Sequence, residues 1–89
     1  MTESRYLTVD GLRLHYLEAG AGRTTLVLLP GLTANAHSFD GLLAAGLSRR
    51  LHVLAFDARG RGLSDKPDWG YGIADHARDV VGSLDALDL

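Results

Sequence analysis

Phe56-Asp57-Ala58-Arg59-Gly60-Arg61-Gly62-Leu63-Ser64-Asp65-Lys66-Pro67 is the most informative segment of this chain. The apolar run His52-Val53-Leu54-Ala55-Phe56 feeds straight into it. A short, uninterrupted run of that kind suits a strand buried on both faces of a parallel sheet. From Asp57 to Gly72 the chain reads as loop, punctuated by Gly60, Gly62, Pro67, Gly70 and Gly72. Gly60 to Asp65 has the form G-x-G-x-x-D after a strand, close to a dinucleotide-binding fingerprint. The third glycine is absent. Pro67 and further glycines separate the segment from the next helix, so no helix N-terminus faces a phosphate there. Gly20-Ala21-Gly22 precedes a strand, which is the wrong context for such a site.

Upstream, Leu26-Val27-Leu28-Leu29 is a second continuous apolar run, stopped by Pro30-Gly31. Between the two runs the period changes. Phe39, Leu42, Leu43 and Leu47 fall at helical spacing within Asn35 to Leu47, and Arg49 and Arg50 suit a helix C-terminus. Strand, helix, strand from Thr25 to Asp57 makes a right-handed crossover, so the two strands should be parallel. Further upstream, Tyr6-Leu7-Thr8-Val9 is rich in β-formers and Asp10-Gly11 is a strong two-residue hairpin signal. Leu12, Leu14 and Tyr16 then alternate with Arg13, His15 and Leu17, the pattern of a half-buried strand. Downstream, Ile73, Ala77, Val80, Val81, Leu84 and Leu87 give the last segment a helical stripe. The order is β-β-β-α-β-α. The fold class is α/β: a mostly parallel sheet with an N-terminal antiparallel hairpin. A doubly wound sheet would place another strand after this helix, so residues 1–89 read as the first part of one domain.

The 89 residues carry a net charge of −2, with 46% hydrophobic and 22% charged residues. That is ordinary globular composition. The near-neutral balance argues against a nucleic acid or a polybasic membrane contact. With no cysteine there is neither a disulfide framework nor a thiolate metal site. No histidine pair has zinc-like spacing, so no metal is expected. Met1-Thr2-Glu3-Ser4 lacks a basic and apolar leader, and the apolar runs are too short to span a bilayer. The expected compartment is the cytoplasm. Among the histidines, His15 is read as outward-facing, His52 as a strand start and His76 as lying on the polar side of the last helix.

Three segments together resemble a known family. They are Asp10-Gly11-Leu12-Arg13-Leu14-His15-Tyr16, Leu28-Leu29-Pro30-Gly31-Leu32-Thr33, and the D-x-R-G-x-G-x-S stretch from Asp57 to Ser64. They look like the N-terminal half of an α/β-hydrolase, in the group of esterases, lactonases, epoxide hydrolases and haloalkane dehalogenases. The resemblance covers essentially the whole chain. It implies that the Leu26 to Leu29 strand lies between the Phe56 strand and a strand not present here. Ligands of open α/β sheets sit at such a switch point, at the carboxyl ends of the strands.

The resemblance also assigns roles. The backbone N–H of Leu32 maps to one donor of an oxyanion hole, with Gly31 allowing the close turn. The family's usual histidine before that glycine is Pro30 here, which has no N–H and stiffens the loop. Thr33, Asn35 and His37 are candidate substrate contacts by position. Asp57, Arg59, Gly60 and Gly62 are implied to be loop scaffolding, with Asp57 capping backbone donors and Arg59 pairing with it or with carbonyls. Phe39 is expected in the core. The serine enzymes carry G-x-S-x-G. Gly46-Leu47-Ser48 and Gly62-Leu63-Ser64 lack the last glycine, and Gly82-Ser83 lacks the spacing. Nucleophile, acid and catalytic histidine are therefore expected outside this chain. The implied reaction is hydrolysis of a small ester, lactone or related carbon–heteroatom bond without a cofactor. The implied partners are a small-molecule substrate and the C-terminal half of the fold, in cis or as a second chain. The competing expectation is a non-catalytic piece that self-associates through its open sheet edge.

Overall fold

A computed structural model of the chain describes residues 2–31 and 34–89. Four strands form one sheet: β1 (Thr2–Val9), β2 (Leu12–Ala19), β3 (Thr25–Leu28) and β4 (His52–Phe56), in the order β1-β2-β4-β3. β1 and β2 form the antiparallel hairpin, Val9 opposite Leu12. Its turn needs two residues with positive φ, and Asp10 (48°) and Gly11 (80°) supply them. β2 runs antiparallel to β4, and β3 parallel to β4 as the crossover requires.

The sheet is covered on both faces, which is why its central strands read as continuous apolar runs. Tyr16, Leu54 and Phe56 point to one face and pack with Leu7, Val27 and Leu87. Leu17, Ala36 and Ala55 point to the other and pack with Leu28 and, as expected, Phe39. Tyr16 and Phe56 are register partners, and their rings stack with centroids 5.3 Å apart.

Four expectations are corrected. The β2 segment is not half-buried: Leu14 to Leu17 are all buried, because β2 is an interior strand with cover on both faces. The Leu26 to Leu29 run is only half-buried, and Leu29 is exposed beyond the strand end. Among the described residues β3 has one neighbour, β4, so its far edge is open.

The segment 35–47 is not one helix. It divides into a 3-10 turn at Ala36–Phe39, a short α1 (Asp40–Ala44) and a second 3-10 turn at Leu47–Arg49. Gly41 weakens the helix from inside, and Gly46, at φ 104°, ends it. The last helix, α2 (Ile73–Ala86), is turned from its expected stripe. Its inward residues are Asp79 and Ser83, both buried, flanked by half-buried Val80 and Leu84. Ile73 and Val81 are exposed, and so is Ala77. An ion pair and a close backbone approach set this rotation. Asp79 meets Arg59, and Gly82 passes so near Val9 that a Cβ there would lie 2.5 Å from a valine methyl. Among the described residues no helix is long and apolar enough to cross a membrane.

Candidate functional site at the carboxyl end of the sheet

β4 ends at Phe56, and the next residue, Asp57, is 2% exposed. A buried carboxylate requires partners, and three chain segments supply them. Its Oδ1 accepts the Ala36 N–H at 2.7 Å. Its Oδ2 accepts the Leu63 N–H at 2.9 Å and the Nδ1 proton of His15 at 2.7 Å. Burial pushes this carboxyl up, but the hydrogen bonds from Ala36, Leu63 and His15 outweigh it, and its pKa ends below the ordinary carboxylate range.

His15 is completely buried, a correction to its expected outward position. A carboxylate only accepts, so the proton faces Asp57 on Nδ1. On the other side of the ring, Nε2 is hydrogen-bonded to the hydroxyl of Ser4 on β1 at 2.5 Å.

The rest of the D-x-R-G-x-G-x-S segment has a structural account residue by residue. Ser64 Oγ donates to the Asp57 carbonyl at 2.7 Å and accepts the His15 N–H at 2.9 Å. It thus extends the β2–β4 ladder with a side chain, and its hydroxyl is fully engaged. Asp65 continues the pairing through both its N–H and its carboxylate to Arg13. Gly62, at φ 51°, lies against the Asp57 carboxylate; a Cβ there would sit 2.3 Å from it. Gly60 lies against the Tyr71 ring, where a Cβ would sit 2.5 Å from it.

Arg59 hydrogen-bonds a carbonyl as expected, Gly70 O at 2.7 Å, but its ionic partner is not Asp57. It forms a two-pronged pair with Asp79 of α2 at 2.6 and 2.7 Å. That pairing raises the Arg59 pKa further. Geometry of this kind ties the post-β4 loop to α2. Ser83 Oγ donates to the Asp79 carbonyl at 2.6 Å and is also engaged.

Above these groups lies a mostly apolar cavity of about 760 Å³. It opens between the ends of β3 and β4 and the first turns of α2. Gly31, Asp57, Arg59 and Gly60 contribute to its wall. Gly62 sits behind Asp57. Asn35 and His37 are exposed and stand outside the wall. The Asn35 carboxamide oxygen caps the 3-10 turn by accepting the His37 N–H at 2.9 Å, and the His37 ring meets Asp40. Leu32 and Thr33 lie outside the described residues. Tyr71 and Trp69 each read in the sequence as either a pocket wall or packing; Tyr71 joins the wall, Trp69 is exposed away from it, and His76, read only as lying on the polar side of the last helix, also lines it.

A three-layer beginning with a ligand-sized space at the strand ends defines the class: the chain belongs to the alpha/beta hydrolase fold family, whose model matches residues 24–89. Among its relatives, it is 37% identical over 84 residues to 2-(acetamidomethylene)succinate hydrolase of Mesorhizobium japonicum. That match covers 94% of this chain and 30% of the relative. N-formylmaleamate deformylase of Pseudomonas putida is likewise 37% identical, over 93% of this chain and 31% of its own length. The crystal structure of an E-2-(acetamidomethylene)succinate hydrolase superposes with a TM-score of 0.90 at 35% identity, over 99% of this chain and 32% of that one. The epoxide hydrolase CorEH gives a TM-score of 0.90 at 32% identity, over 98% and 30%. The chain thus spans about a third of the length of the hydrolases it matches.

Proposed function

We propose that these residues form the N-terminal part of a hydrolase acting on a small ester, lactone or related carbon–heteroatom bond. The backbone N–H of Leu32 supplies one oxyanion donor, Gly31 gives the loop its close approach, and the cavity wall contributes to the substrate pocket. The nucleophile, acid and catalytic histidine lie in the remainder of the fold. One observation carries this reading. The cavity opens at the carboxyl ends of β3 and β4, with Gly31 in its wall, in a chain whose relatives are hydrolases. Preorganised donors at that position stabilise charge as it develops on a carbonyl oxygen.

The test replaces the corresponding segment of the Mesorhizobium japonicum hydrolase by residues 1–89. Turnover of that enzyme's own substrate, with ester hydrolysis absent from the 89-residue chain alone, is the expected result. A folded chimera without turnover, or serine-hydrolase rates from the chain alone, overturns the proposal.

A second reading rests on the open edge of β3. There the chain acts as a non-catalytic module that pairs with a second copy or with a complementary chain. Native mass spectrometry of the chain with and without a segment carrying the rest of the fold separates the two.

A further inference from the structure

The described residues on either side of positions 32 and 33 are each anchored. β3 fixes one side through the sheet. At the other, the Ala36 N–H is gripped by the buried Asp57 carboxylate at 2.7 Å. Asp57 is itself held in place by His15, and His15 by Ser4. One chain of hydrogen bonds therefore runs from β1, through β2 and the loop after β4, to Ala36, and the Ala34 N–H in turn donates to Gly31 of the cavity wall at 3.1 Å.

We infer that His15 and Asp57 are positioning residues for hydrolysis: by gripping the Ala36 amide the pair places Ala34, and with it Gly31 of the cavity wall, whose carbonyl accepts the Ala34 N–H at 3.1 Å. The inference rests on the proposed hydrolase reading. Three features argue for a device with more than a packing role. The carboxylate is charged and buried, where an apolar residue would pack at lower cost. Its donors, at Ala36, Leu63 and His15, belong to different segments, so it fixes their mutual placement. Gly62 leaves space for it that any side chain would fill. Misplacing a reacting group or donor by a fraction of an ångström is costly in rate but leaves much of ground-state binding intact.

The test has two arms. In the 89-residue chain, NMR follows the Ala36 and Leu63 amide protons and the Asp57 carboxyl carbon through an acid titration. Both amides are expected far downfield and should move together with the carboxyl carbon. Independent movement overturns the inference without any variant. In the chimera described above, Asp57→Asn and His15→Gln are compared with His15→Asn. The asparagine places an N–H near the position of Nδ1, whereas the glutamine reaches toward Ser4.

Asp57→Asn and His15→Gln should lower kcat by about tenfold or more. KM should stay within about twofold. His15→Asn should recover most of the loss. Folding of each variant is read from its amide spectrum. If Asp57→Asn does not fold, the two His15 variants decide. Folded variants with unchanged kcat, in an active parent chimera, overturn the positioning role alone. A folded but inactive parent overturns the hydrolase reading, and the inference with it.

Discussion

At the scale of single residues, Asp57 is where burial, charge and loop geometry meet. Its hydrogen bonds to Ala36, Leu63 and His15 exist only in the folded chain and hold its pKa below the ordinary carboxylate value. The sign of the pH effect follows. The stabilisation is fully present above the unfolded-state pKa, about 3.9. It is lost as pH falls through the lower folded value. Urea unfolding should therefore show stability declining below about pH 4. Asp57→Asn should flatten part of that decline while costing about 2 to 3 kcal/mol at neutral pH, the range for hydrogen bonds to a charged group. An acid profile identical to that of the parent would refute the assignment. Gly62 is the companion case. Its φ of 51° disfavours a side chain, and the 2.3 Å approach to the carboxylate excludes a Cβ. Gly62→Ala should destabilise the chain by about 2 to 4 kcal/mol, measured as a shift in the urea midpoint.

Between elements, the Arg59–Asp79 pair sets how α2 sits. Both side chains are largely buried, at 14% and 9% exposure. Removing one partner leaves a buried charge without compensation, whereas removing both does not. Arg59→Ala alone should cost about 3 kcal/mol, and the double substitution with Asp79→Ala should cost less than the sum of the two single changes. Thermal unfolding of the four chains measures the coupling, and strict additivity would show that the pair does not hold the helix.

The same pair marks where sequence reading stopped. The hairpin was legible because Asp10-Gly11 has few alternatives. The strands were legible because β4 is apolar from Val53 to Phe56 and both apolar runs end at turn residues. The orientation of α2 was not. Of its expected stripe, Val80, Leu84 and Leu87 do turn inward, but Ile73, Ala77 and Val81 are exposed, because an arginine twenty residues upstream drew Asp79 to the centre of the inward face. His15 was misread for a related reason. Alternation on β2 placed it on the solvent side, but β2 is an interior strand, and its neighbours Asp57 and Ser64 are far along the chain. The division of 35–47 turned on Gly46, whose left-handed conformation no periodicity displays.

For the whole molecule, the decisive feature is unfinished cover. A chain of 89 residues buries only about 60% of its unfolded surface. Among the described residues β3 also keeps an open edge, and Leu29, Trp69, Ile73 and Val81 are exposed. An unpaired strand edge presents backbone donors and acceptors to any chain that can match them. Apolar surface beside it adds a driving force of about 25 cal/mol per Å² buried. The 89-residue chain on its own should therefore associate through β3. Native mass spectrometry at micromolar concentration is expected to show dimers or larger multiples of 9.5 kDa. Hydrogen exchange should show the β3 amides that face away from β4 protected in the associated form and fast on dilution. A segment carrying the rest of a hydrolase fold should compete for the same edge and convert the multiples to a one-to-one complex. If instead the chain stays monomeric while those amides exchange freely, the self-associating reading fails. The open edge is then a surface that only the remainder of the fold completes, the arrangement the hydrolase proposal requires.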